Sequence, residues 1–237
     1  MPNVLPILEF TLIPVAATLL GGVWATFRVP SALTRSAFQH LAAGVVMAAV
    51  AGELLPEITA QHRPSGLILG FALGVVVMLV LRQFTERLEE RAGSGNLGLI
   101  AAVGLDTFID GLLIGVGFAA GPTVGVLLVV ALTLELLFLG LSVAAELAQS
   151  GASRGRTIGT VAGLTLALLV GATLGGSLLS GVQDFTLEVV MAFGAAALLY
   201  LVTEELLVEA HEVRETALIT AMFPLGFLTL LVIEQLV

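Results

Sequence analysis

An all-α polytopic membrane protein of eight spans is the fold class the sequence predicts, and three observations predict it. Of the 237 residues, 58% are hydrophobic and 11% charged, and the mean hydropathy is +1.09. A soluble domain carries roughly a quarter charged residues and under half apolar ones. The apolar residues fall in eight continuous runs, each near the roughly 20 residues that a helix needs to cross a hydrocarbon core of about 30 Å. The runs do not alternate, as the strands of a membrane β-barrel would. This profile excludes a water-soluble enzyme, a nucleic-acid binder and a disordered scaffold. A net charge of −9 without a basic cluster argues against a polyanion partner. The chain has no cysteine, so disulfides, iron–sulfur clusters and thiolate metal sites cannot be built.

The runs are read at about 4–26, 36–58, 64–83, 97–120, 123–149, 156–180, 184–211 and 215–237. The first carries Glu9 and Pro14, lacks a basic n-region and is too long for a signal-peptide core, so it is expected to be a retained helix. The second opens near His40 and closes on Glu53, Pro56 and Glu57. After the third comes the longest polar stretch, Thr85 to Asn96, which is expected to be a connection. The fourth carries Asp106 and Asp110; the fifth carries Glu135 and, later, Glu146. Arg154 and Arg156 precede the bulk of the sixth, and a stripe of Glu205, Glu209 and Glu212 beside His211 closes the seventh before Arg214 opens the eighth. No room is left for a soluble domain; one transmembrane domain, residues 1–237, is expected.

The arginines orient the chain. Arg28, Arg35, Arg82, Arg87, Arg91, Arg154, Arg156 and Arg214 all fall on one side of the membrane, and only Arg63 on the other. The positive-inside rule places the eight in the cytoplasm and both termini outside.

One offset of 152 positions aligns two pairs of spans. Glu53-Leu54-Leu55-Pro56-Glu57 matches Glu205-Leu206-Leu207-Val208-Glu209, and Phe71-Ala72-Leu73-Gly74 matches Phe223-Pro224-Leu225-Gly226. At a slightly larger offset, Ala17-Thr18-Leu19-Leu20-Gly21-Gly22 resembles Ala172-Thr173-Leu174-Gly175-Gly176. The copies are an odd number of spans apart, so they cross the bilayer in opposite directions. Inverted repeats of this kind build secondary transporters. The pattern is three plus two plus three, with spans four and five as the central pair.

That central pair holds the informative acids. Asp106 and Asp110 share a helical face near the middle of span four, and Glu135 lies near the middle of span five. A central Asp costs roughly 2.5–3.5 kcal/mol to insert, two cost roughly 5–7, and the twelve Leu, Ile, Val and Phe of span four return only about 4–7. The acids are therefore expected to face protein or water, not lipid. Clustered carboxylates repel one another, and neither span carries an arginine to pair them. A divalent cation with oxygen ligands resolves both problems; protonation or hydrogen bonding to a neighbouring helix is the structural alternative. Gly111 and Gly115 form a GxxxG pair suited to close helix packing.

Asp106-Thr107-Phe108-Ile109-Asp110-Gly111 resembles the HNFxDG segment of ZIP (Zrt/Irt-like) divalent-metal transporters. The run from His40 to Glu57 is similar to that family's second helix, and Glu204-Glu205 and Phe223-Pro224-Leu225-Gly226-Phe227 are similar to its last two. The resemblance implies eight spans in a three-plus-two-plus-three bundle and a divalent-metal cargo. It also implies departures: Asp106 stands for the family's His and Thr107 for its Asn, while Asp110 keeps the acid. With Gly140 on the family's helix-five glycine, Glu135 takes the first ligand position, and the next two fall on Leu136 and Leu139. The sixth span lacks the expected glutamate, leaving Thr165. A two-metal site is thereby reduced to one carboxylate site, Asp106, Asp110 and Glu135. Hard oxygens lean toward manganese, iron(II), magnesium or calcium, though zinc also accepts carboxylate.

The remaining candidates each keep two readings. Glu53 and Glu57 gather cations at the entrance or are a solvated helix end. Glu205 is implied by the resemblance as an inner-exit ligand, with Glu209 and His211 beside it. Glu146 extends the path or is plain surface. Met47 fills a core gap rather than ligating. His40 reads as interfacial, His62 as exposed, and Glu9, Glu188 and Glu234 as solvated near the outer face.

The expected function is a secondary transporter that moves a divalent cation toward the cytoplasm by alternating access. The alternatives are a non-transporting relative that senses metal or serves a structural role, and a carrier of protons or another cation. No enzyme activity and no cofactor beyond the transported metal (zinc, iron or manganese among the candidates) are expected. The expected partners are the lipid bilayer, divalent cations and a second copy of the chain as a homodimer, with no nucleic acid. The expected location is the cell (inner or plasma) membrane.

Overall fold

A computed structural model gives the architecture; it describes residues 4–28, 30–60, 64–92, 97–179, 185–214 and 216–236. Eight apolar helices long enough to span a bilayer occur among the described residues, with no strand. They are α1 (Val4–Phe27), α2 (Ala32–Ala60), α3 (Pro64–Ala92), α4 (Leu97–Ala120), α5 (Pro122–Gln149), α6 (Arg154–Leu179), α7 (Phe185–Ala210) and α8 (Ala217–Glu234). The ends agree with the sequence reading within a few residues except at α3. There the helix runs on to Ala92, through residues expected to be a connection. Glu, Arg and Leu are strong helix formers, and Arg82 pairs with Glu86 one turn on, at 2.9 Å. His62 and Arg63 lie outside the described residues.

The helices pack as two groups. In one, α4 lies along α6 and α1 lies along both α5 and α6; in the other, α2 lies along α8 and α3 along α7. The first group thus holds one repeat-related pair, α1 and α6, and the second holds two, α2 with α7 and α3 with α8. Small residues set the spacing of the first group. A methyl group on Gly115 would stand 2.5 Å from the Ala172 carbonyl oxygen, and one on Gly175 would stand 2.5 Å from that of Leu112. The GxxxG pair therefore seats α4 on α6 backbone to backbone, where only glycine fits.

Helix α5 is the most enclosed span, whereas α3 and α8 are peripheral. Leu127, Leu128, Leu132 and Leu136 of α5 are fully buried in the main core, and Met47 packs against it. Outward-facing Leu20, Trp24, Ile68, Val80, Leu166 and Leu228 are exposed, the pattern of a surface solvated by lipid. Buried threonine hydroxyls are satisfied within their own helices; Thr18 donates to Pro14 O at 2.7 Å and Thr165 to Ala162 O at 2.8 Å.

The repeat has a backbone signature that composition does not show. Helix α2 carries a π-helical turn at Val50–Leu54, and α7 carries one at Leu201–Leu206. Shifted by 152 positions, the first falls within the second. Pro56 follows the turn in α2, but Val208 occupies the matching place in α7. Proline is therefore not required for the turn. The two turns carry Glu53 and the Glu204-Glu205 pair.

Candidate metal centre

Helix α4 holds Asp106 and Asp110 one turn apart, and α5 crosses it with Glu135 at the same depth. One carboxylate oxygen from each of the three lies within 4.8 Å of the other two. Two oxygens on opposite sides of an ion bound at about 2.0–2.6 Å stand about 4–5 Å apart, so the spread matches a single divalent cation. Asp110 and Glu135 are each 2% exposed, while Asp106 is half-buried. Asp110 Oδ2 and Glu135 Oε2 are buried with no hydrogen-bond partner among the described residues. An orphaned buried carboxylate oxygen costs several kcal/mol unless something positive or a proton meets it. The donor set is all oxygen: the Thr107 hydroxyl is turned away, donating to Val103 O at 2.7 Å.

Asp106 stands at the end of a cavity of about 330 Å³ bounded by α3, α4, α5 and α7. Glu205, Glu209 and Tyr200 line it, and Arg82 and Glu204 stand at its inner mouth, bonded to each other at 2.9 Å. The cavity lies between the two helix groups, with the carboxylates on one and Glu205 on the other. Leu139, one of the two leucines at expected ligand positions, lines it too; Leu136 is buried in the core.

Residues 87–234 match the family described as ZIP zinc transporter. The chain belongs to that family. It is accordingly an integral multi-pass membrane protein and a metal transporter in the general sense, from a family of transporters rather than enzymes. The match begins near the inner end of α3; of the helices before it, α1 packs on α5 and α6, α2 on α8 and α3 on α7. No curated protein matches the sequence.

The other sequence candidates fall in different places. Glu209 accepts a hydrogen bond from Gln39 Nε2 and lines a second, smaller inner pocket with Arg35 and Glu212. His211 ends α7, its ring 5.0 Å from that of His40. His40, near the inner end of α2, is buried, 4% exposed, with its ring against that of His211 at the end of α7. Glu146 and Glu57 are exposed, and Glu53 is half-buried beside Glu234 at the outer ends of α2 and α8. Solvation does not account for Glu188. It is 2% exposed, and neither carboxylate oxygen has a partner among the described residues. A methyl on Gly66, in the first turn of α3, would stand 2.5 Å from its carboxyl carbon. The sequence places Glu188 at a span end, where acids are ordinarily wet; only the packing of α3 on α7 buries it. Sequence reasoning also missed the Arg82–Glu204 pair, whose partners are 122 positions apart.

Proposed function

We propose that this ZIP protein carries a divalent metal cation across the cell membrane toward the cytoplasm, holding it midway on Asp106, Asp110 and Glu135. The observation that carries the reading is the convergence of three carboxylate oxygens within 4.8 Å, two of their groups buried and incompletely satisfied. Their negative charge draws a cation out of water and the enclosed pocket strips part of its shell; oxygen ligands accept zinc, manganese or iron(II). On release, the ion follows the cavity past Glu205 and Glu209 to the arginine-rich side. Alternating access moves the α1/α4/α5/α6 group against the α2/α3/α7/α8 group, with the inverted repeat supplying two equivalent packings.

Uptake into proteoliposomes loaded with a metal-sensitive dye tests this. Wild-type protein admits zinc or manganese, and Asp110→Ala falls to the rate of empty vesicles while remaining monodisperse. Equal uptake by the two proteins contradicts the reading. The leucines at 136 and 139 favour a second one, a ZIP relative that binds metal without moving it. Saturable binding by folded wild type without uptake selects that alternative.

A further inference from the structure

The cavity below the carboxylates is larger and more apolar than a passing metal ion requires. It holds about 330 Å³, within the roughly 300–1,000 Å³ of pockets that enclose small organic ligands. A divalent cation is held by oxygen ligands and water and gains nothing from hydrocarbon. Yet Met78 and Leu81 of α3, Leu99, Val103 and Ile109 of α4 and Leu139 of α5 all line the space. The share of α4 follows from the helical period. Leu99, Ala102, Val103 and Asp106 recur at intervals of three and four, so one face carries hydrocarbon toward the inner mouth and a carboxylate at the far end.

The charge inside is of one sign. Asp106, Glu205 and Glu209 line the cavity. Arg82, at the mouth, is engaged by Glu86 and Glu204 at 2.9 Å each, and neither Asp106 nor Glu205 has an ion pair among the described residues. Asp106 also lies against Asp110 and Glu135, each with a buried carboxylate oxygen that has no hydrogen-bond partner among the described residues. An ammonium group donates three hydrogen bonds and accepts none, so it suits carboxylates that only accept. Such charge-assisted bonds are the strong ones. An apolar wall and unpaired carboxylates in one space complement a molecule with a cation at one end and hydrocarbon at the other.

We propose that this cavity is a binding site for a small amphipathic organic cation, a primary amine on an apolar body. Its ammonium meets Asp106 and Glu205, and its body lies on the wall made by α3, α4 and α5. Because Asp106 also belongs to the three-carboxylate cluster, the amine and a divalent metal exclude one another. The site does not depend on the cluster being a transport site; a protein that never moves metal still binds the amine.

Calorimetry on the full-length, metal-free protein in detergent tests this with three probes. 2-Phenylethylamine carries both features, 2-phenylethanol replaces the ammonium with a neutral hydroxyl, and methylammonium lacks the apolar body. The first binds saturably. The other two bind at least about 10-fold more weakly, the effect of losing one charge-assisted hydrogen bond or a few buried carbons. Asp106→Asn weakens the amine by about 10-fold or more. Ala102→Phe fills the apolar side and abolishes amine binding, while the protein stays monodisperse and its manganese affinity is unchanged. Wild type that binds the amine but no manganese leaves this site standing and removes the metal reading. Equal binding of 2-phenylethanol, as of any apolar molecule or lipid tail that merely fills the space, overturns the assignment. So does a folded wild type without saturable amine binding, or amine affinity unchanged in Asp106→Asn or in Ala102→Phe.

Discussion

The two halves of α4 meet different surroundings. From Leu113 to Gly117, on the outer side of Asp110, every residue is buried; from Leu99 to Asp106, on the inner side, every residue is half-exposed or exposed and several line the cavity. The same helix is thus sealed above the carboxylates and open below them. The cavity below the carboxylates opens toward Arg82 and the arginine-rich side.

Four experiments break or sharpen that contrast. The largest effect belongs to the junction itself. Asp110→Ala or Glu135→Ala removes a ligand, and divalent-cation affinity measured by calorimetry falls by more than the roughly 10–100-fold that loss of a supporting partner costs. The absence of native cysteine makes the second simple. A cysteine introduced at Ala102 reacts with a membrane-impermeant reagent applied from the inner side, and one at Ile114 does not react from either side. Similar rates at both positions would mean the two halves are equally accessible. Third, Gly115→Leu forces α4 off α6, costing about 1–3 kcal/mol of overpacking; a lowered detergent melting temperature reads this out. The smallest is Glu204→Ala. It removes an exposed, solvent-screened ion pair, so the detergent melting temperature is nearly unchanged and only the mouth of the cavity alters.

How much of this was legible in the sequence follows from which forces are local. The eight spans were legible because insertion depends on the composition of each run. The depth of Asp106, Asp110 and Glu135 could be counted from the span ends; the approach of their oxygens is a matter of how α4 and α5 cross. The extension of α3 was hidden because the same charged residues suit a connection or a solvated helix. The π turns were hidden because they depend on which carbonyl each amide selects, although the 152-residue offset in retrospect points to both. Burial of Glu188 and the meeting of His40 with His211 come from contacts between distant helices, which no local pattern announces.

The central claim is that one cation sits among the three carboxylates. Crystals soaked in manganese, with data collected for its anomalous signal, test it most directly. A peak within about 2.0–2.6 Å of oxygens from Asp106, Asp110 and Glu135 is the predicted result. Manganese bound elsewhere in well-ordered crystals, with those three side chains bare or turned apart, would contradict it.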